Sequence, residues 1–420
     1  MRPSFNSRRL HVRTFKPLAL AVTSALAVTA WADESSFSVS GFGTVSAVKT
    51  DTNDAQFRSG TRQPNGADRS VNFGVDTKLG VQVVGKMNEQ FSATVQVLSQ
   101  KNRDGNFKPD AEWAFLKYNI TPDLSVRGGR MGLPIFLISD YRNVGYANTW
   151  ARPPVDVYSQ VAGASYGGLD LIWRMSLGDN TLTVQPYLGE SKSELPSGFD
   201  FHFKKLLGVN ATYEMGSWLF RAGYVGTDIT ATSPGLTTLI ATMRGVEANP
   251  ALPASVRDPW GKATSELEIK KKKASFAGLG AIYDDGQLVF QGEYTQRRTD
   301  SLVEDTDGWY TTLGYRFGDF MPYVSYADVR TDLNHAADNL PTPTASLAGL
   351  KAAIIDTKAG ADQSTTTVGV RWNAWKNVAL KAQFDRVETE VGKDHFFVAA
   401  KPGFAGKSVN VYTVAVDFVF

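Results

Sequence analysis

The residues able to do chemistry in this chain are charged ones set singly among apolar neighbours. Lys78, Lys117, Arg127, Arg174, Arg221, Arg316, Arg371 and Lys381 occupy the polar positions of segments that alternate polar and apolar residues. Asp76, Asp170, Glu293, Asp385 and Asp417 are their acidic counterparts. A period of two puts successive side chains on opposite faces of a strand, so each segment has one apolar face and one charged face. Charge beside apolar surface is tolerable only where it lines water or pairs. The array therefore implies an aqueous interior. A plugged lumen, with the arginines paired to acids across a wall, is the competing arrangement.

Covalent and metal chemistry find little support. The chain has no cysteine, which removes disulfides and thiol catalysis together. Beyond residue 32 the histidines are His202, His335 and His395, each in a predicted loop without a Ser/Asp partner motif. An enzyme is therefore the disfavoured class, and no catalytic residue, cofactor or metal ligand is assigned. Glu304-Asp-Thr-Asp307 and Asp51-Thr-Asn-Asp54 are oxygen-rich but lack the spacing of a calcium loop. Lys270-Lys-Lys-Lys273 falls in a long loop, where contact with lipopolysaccharide phosphates or solvent fits better than nucleic acid.

Sixteen segments carry the two-residue period. They begin at Phe37–Lys49 and Val71–Gly85, the second with Val71, Phe73, Val75, Leu79, Val81 and Val83 on its outer face. They end at Tyr412–Phe420, where Tyr412, Val414, Val416, Phe418 and Phe420 share one face. Tight connections such as Gly178-Asp-Asn180, Met215-Gly-Ser217, Asp284-Asp-Gly286 and Gly318-Asp319 supply hairpin chemistry. They alternate with longer stretches, notably 131–168, 228–273 and 331–363. Within these, Leu236–Arg244 and Leu347–Asp356 have the spacing of short helices. Short turns alternating with long loops is the asymmetry of a transmembrane antiparallel up-and-down β-barrel. A soluble sandwich or β-helix has no reason to sort its connections by parity. Trp218, Trp309 and Phe320 are placed beside the turns, and Tyr224, Tyr294, Tyr326 and Tyr412 toward the other ends, as two interfacial belts require.

The third long connection, Met131–Ser159, is too apolar for a loop lying in solvent. It carries Ile135, Phe136 and Leu137, the aromatics Tyr141, Tyr146 and Trp150, and the charged Asp140, Arg142 and Arg152. Folded into the barrel, it would bury the apolar members on the wall and present the charged ones at a constriction, where charge sets ion preference. Lys117, Arg127, Arg174, Arg221, Arg316, Arg371 and Lys381 would face it, and the excess of bases predicts weak anion preference. Tyr141, Tyr146 and Trp150 would supply a binding track if the channel were substrate-selective.

Residues 1–32 read as an export signal, with a basic segment, a short apolar run from Leu18 to Thr29 and the small-x-small site Ala30-Trp31-Ala32. The apolar run is too short to span a bilayer, which needs ~20 residues. Its removal takes five positive charges from the formal +2 and leaves −3, so net charge offers no case for nucleic-acid binding. Residues 33–420 then form the barrel, with 131–159 as its constriction loop.

The terminal strand ending on Phe420 resembles the insertion signal of outer-membrane barrels, with Tyr412, Phe418 and Phe420 as its aromatics. Together with the sixteen-strand plan and the third loop, it resembles the general porins of Gram-negative bacteria across residues 33–420. Asp110-Ala-Glu-Trp-Ala-Phe115, Trp150-Ala-Arg-Pro-Pro-Val-Asp-Val-Tyr158 and Gly178-Asp-Asn-Thr-Leu-Thr-Val-Gln-Pro-Tyr187 are similar to uncharacterised proteobacterial porins in particular. The Pro-Glu-Phe-Gly-Gly signature of enteric porin loops is absent from 131–159. The resemblance implies a homotrimer in outer-membrane lipid and lipopolysaccharide, passing small hydrophilic solutes by diffusion.

Overall fold

The computed structural model describes residues 37–196, 198–301, 303–332, 337–356, 361–391 and 396–420. The predicted export signal, His335 and His395 lie outside them. Sixteen antiparallel strands, each hydrogen-bonded to its chain neighbours, form one closed barrel. In order they are β1 Phe37–Thr50, β2 Lys78–Lys86, β3 Phe91–Gln100, β4 Asp110–Thr121, β5 Leu124–Gly132, β6 Ser165–Leu177, β7 Asn180–Glu194 and β8 Asp200–Met215. The second half comprises β9 Trp218–Thr232, β10 Lys272–Asp284, β11 Leu288–Thr299, β12 Asp305–Tyr315, β13 Phe320–Asp332, β14 Gln363–Trp375, β15 Val378–Thr389 and β16 Ser408–Val419. β1 pairs with β16, and Gly41 and Phe420 exchange N–H···O bonds of 2.8 and 3.0 Å at the seam. Closure leaves no edge strand, as hydrocarbon surroundings demand.

Alternation sorts the residues as the sequence implies. On β16, Tyr412, Val414 and Val416 are exposed outward, while Thr413, Ala415 and Asp417 are buried inward. Close cross-strand packing decides where glycine is needed. The Phe420 ring lies where a side chain on Gly41 would stand, and the Phe418 ring covers Gly43 in the same way. At the short-turn end, Gly178, Gly216 and Gly318 hold φ of +65°, +56° and +60°, a region that costs glycine little.

Two local expectations need correction. Val71–Thr77 is not strand: β2 starts at Lys78, and Val75, read as outward, is 3% exposed inside a cluster with Phe57, Val48 and Val411. Parity along a strand says nothing once the chain has left the ladder. Trp309 belongs to the long-loop belt rather than the turn belt, for its ring packs 5.4 Å from Tyr326 and it pairs across with Tyr294.

The predicted short helices are present within Pro234–Ala248 and Ala345–Asp356, and a further helix spans Ala254–Leu267. Ser233 starts the first by accepting a bond from Leu236 N at 3.2 Å, with Pro234 in the first turn. Met243, Trp260, Leu267 and Ile354 from these helices form one apolar cluster with Ile229 at the loop end of β9. No helix among the described residues is long and apolar enough to cross a membrane.

Candidate functional site

The third loop leaves β5 and enters the barrel instead of solvent. Its neck is pinned where Leu133 N–H donates to Ala164 O at 3.0 Å. The first stretch then lies on β10, whose inward positions 278 and 280 are glycines. A side-chain carbon at Gly278 would come 3.1 Å from Ile135 O, and one at Gly280 would come 2.9 Å from the Leu137 side chain. Glu293 on β11 accepts from Leu137 N–H at 2.7 Å and from the Tyr158 hydroxyl at 2.8 Å. Phe136 meets Phe276 edge-on at 5.1 Å. The apolar character that set this segment apart is thus explained by burial against β10–β13.

Farther on, the loop continues along the same wall toward β14–β16. Trp150, 1% exposed, donates Nε1–H to Thr312 at 2.9 Å and stands T-shaped to Tyr310 at 5.5 Å. Lys381 then gathers the loop: its ammonium donates to the carbonyls of Gly145, Asn148 and Trp150, each at 2.7 Å. Asp417 supplies the countercharge 2.9 Å away, and neither side chain is exposed. Gly145 is required here, because a methyl group would run into the Asp417 carboxylate and the Thr44 hydroxyl. Arg152 is buried between Asp76 and Asp385 at 2.9 and 2.6 Å, and also donates to Thr413. Burial opposes the Arg152 charge, but the two carboxylates outweigh it and hold its pKa above the ordinary value. Asp156 accepts from Gln363 and Thr365 at 3.0 and 3.1 Å, and burial pushes its carboxyl up to about 6.

One gap stays open between Ser139–Val144 and the wall formed by β1 to β5. The gap there measures about 370 Å³ and is lined by Gln82, Gln96, Glu112, Asp140 and Arg142 among others. Burial lowers the Arg142 pKa, with Glu112 acting in the other direction. Asp140 pairs with Arg221 at 2.9 Å. Arg127 is held by Asp170 at 2.5 Å and lies 5.1 Å over the Phe115 ring. Lys117 feels the positive charges of Arg127 and Arg174 beside it. Among the described residues, Lys117, Arg142 and Arg174 enter no ion pair.

The predicted constriction set therefore divides in three. Arg142 and Asp140 line the open gap, Arg221 reaches it through Asp140, and Lys117, Arg127 and Arg174 stand on the adjoining strands β4 to β6. Lys381, Arg152 and Arg371 instead hold the loop, Arg371 donating to Asn148 O at 3.1 Å and stacking on Tyr146 at 5.0 Å. Arg316 belongs to neither group, since it pairs with Asp284 at 2.5 Å by the short turns. Of the predicted aromatic track, Trp150 is core, Tyr146 lies under Arg371, and Tyr141, partly buried against the apolar cluster, lines the open gap. Trp150 alone of the three is too buried to meet a solute. The oxygen-rich tips are charge-paired, Asp54 with Lys401 and Lys407 at 3.1 and 3.0 Å, and Asp307 with Arg298 at 2.8 Å.

Sequence reasoning missed Gly278, Gly280 and Glu112. The alternating glycines of Ala277-Gly-Leu-Gly-Ala281 were a usable signal, because inward glycines on a strand admit another backbone. Glu112 offered none, as the β3–β4 register shifts at Gln96/Val97 and breaks the simple parity.

The fold finds counterparts among known proteins. The sequence model of the Gram-negative porins matches residues 19–393. In structure the chain is similar to the trimer form of OmpT, an outer membrane protein of Vibrio cholerae, at 14% identity and TM-score 0.54, covering 91% of this chain and 99% of that one. The anion-selective porin from Comamonas acidovorans gives 13% identity and TM-score 0.51, with 91% and 100% covered. The outer membrane channel DcaP of Acinetobacter baumannii gives 12% and 0.53, with 91% and 97% covered. At such identities the likeness establishes the fold. No curated protein matches the sequence. With the family match running over most of its length, the closed barrel of sixteen strands belongs to the Gram-negative porin family, outer-membrane channels by fold and family.

Proposed function

We propose that the protein is a water-filled outer-membrane channel through which small hydrophilic solutes and ions diffuse, with a weak preference for anions. The observation that carries this reading is the clamped third loop, which narrows the lumen without filling it. Its open side keeps three cations, Lys117, Arg142 and Arg174, outside any ion pair among the described residues. Glu112 and Asp140 line the same gap as Arg142, Asp140 is already paired with Arg221, and Asp170, across the strands from Lys117, is paired with Arg127. A narrow water-filled passage with unpaired positive charge raises the local concentration of anions.

The trimer form of the Vibrio cholerae protein and the apolar outer face support assembly as a homotrimer in lipid and lipopolysaccharide. Residues 1–32 are proposed as the cleaved export signal.

Planar-bilayer recordings under a salt gradient test the reading. The parent protein should show discrete open steps and a reversal potential on the anion side. The double variant Lys117→Gln with Arg174→Gln should move that potential toward the cation side. An unchanged potential would remove these residues from the selectivity mechanism, and an absence of steps would remove the channel.

A further inference from the structure

At the long-loop end, above the third loop, the barrel holds a cavity of about 780 Å³. This is within the ~300–1,000 Å³ typical of small-molecule sites. Its wall is unlike the polar lining below. Phe199, Phe201 and Phe203 form a ladder of stacked rings, with centroids 5.8 and 6.1 Å apart and planes within 24° and 14°. Strand register extends this surface sideways, placing Phe203 opposite Ile229, Val225 opposite Phe276, and Phe276 opposite Arg297. The three ladder rings are only partly buried, so they keep faces toward the cavity. An apolar surface of this kind inside a watery vestibule is unfavourable unless something apolar covers it.

Two guanidiniums line the same cavity. Arg58 donates to the carbonyl oxygens of Phe396, Thr61 and Gln63 at 2.9, 3.0 and 3.3 Å. Arg297 donates to the carbonyls of Glu304, at 3.1 and 2.8 Å, and Gln160. Carbonyl dipoles orient a guanidinium but leave its charge in place. Among the described residues neither Arg58 nor Arg297 enters an ion pair. The acidic Glu304, through its backbone, and its neighbour Asp305 adjoin Arg297, and burial brings the Arg58 pKa down to about 10.

We infer that this cavity is a binding station for small amphipathic monoanions, with an aryl or branched alkyl body on the phenylalanine ladder and a carboxylate at Arg58. Arg297 contributes a second, weaker positive charge at the opposite wall. The station rests on the channel reading in being a stop on the solute path, and its binding step is separable from conduction. The floor of the cavity includes Leu133, Ile135 and Gln160 of the third loop, so a bound solute would wait directly above the constriction.

The test is equilibrium dialysis of labelled 4-phenylbutyrate against the full protein in liposomes, with protein-free liposomes as blank. Butyrate supplies the charge without the ring, and 4-phenylbutylamine the ring with the opposite charge. Saturable binding of 4-phenylbutyrate, at least ten-fold tighter than either control, is expected. Arg58→Gln should weaken it by roughly ten-fold, the value of one charge-assisted hydrogen bond, and Arg297→Gln by less. Because both arginines also tie loops together, Phe201→Ser is the second variant. It keeps both cations and should weaken 4-phenylbutyrate while leaving butyrate unchanged. Equal binding of the acid and the amine would show a plain apolar or acyl-chain site and overturn the inference, as would no saturable binding by the parent. Conduction without binding would sink this station alone, whereas binding without conduction would sink the channel reading and leave the station.

Discussion

Replacing Lys381 with methionine tests how the third loop is held. The side chain keeps nearly the same volume, so the perturbation is electrostatic. Three carbonyls of the loop lose donors at 2.7 Å, and Asp417, fully buried, loses its countercharge at 2.9 Å. Breaking a buried pair from one side costs about 3–5 kcal/mol, because the remaining charge is left without compensation. Each carbonyl adds up to ~1–3 kcal/mol if water cannot reach it. Lumen water can reach some of the freed segment, so the lower figure is the fair expectation. A loss of about 3–5 kcal/mol shifts the equilibrium between docked and undocked loop by roughly two to three and a half orders of magnitude. In single-channel records, Lys381→Met should therefore replace a steady open level with flicker and several sublevels. Adding Asp417→Asn removes the stranded charge, since a neutral amide retains the bond with the Thr44 hydroxyl. The double variant should recover much of the steady level. Records of Lys381→Met with the parent's level and noise would refute the clamp. A double variant as noisy as the single one would show that the carbonyl bonds, not the buried charge, dominate.

Gly280→Val should lift the loop from its seat, because the new side chain meets Leu137 and the Gly292 carbonyl; overpacking costs ~1–3 kcal/mol. Its heat-modifiability midpoint on gels should fall, while Gly226→Ala, with nothing within 4 Å, should leave the midpoint unchanged. Asp156 gives a pH dependence of definite sign. With its folded value raised to about 6 from 3.8, the folded chain binds more protons than the unfolded one between those values. Stability therefore falls as pH rises through that window and stays at the lower level above it. Asp156→Asn should flatten the slope and raise the stability near neutral pH by an amount on the order of 3 kcal/mol at most, read as a higher thermal midpoint. An unchanged pH profile would mean that the carboxylate is hydrated in place.

What the sequence determined by itself is whatever repeats locally. The two-residue period, the aromatic terminus and the parity of turn lengths give the strands, their inward and outward faces and the closed barrel. Each follows from one constraint, that lipid meets one face and water the other, acting within a few residues. The lining of the third loop was legible as an excess of apolar residues that solvent could not hold, and Arg142, Asp140 and Arg221 as charges able to meet inside.

Tertiary structure alone decided which inward charges remain available. In sequence Lys381 reads the same as Lys117 and Arg174, and Arg152 the same as Arg142, yet Lys381 and Arg152 are buried clamps. Their partners lie 236 and 233 positions away, at Gly145 and Asp385. Such pairings depend on where a long loop lands after sixteen strands have closed. No local spacing encodes that landing point, because it is set by the glycine seat at Gly278 and Gly280 and by the diameter of the barrel. The apolar cavity is also tertiary in origin, since it is assembled from loops and strand ends that have no common pattern along the chain.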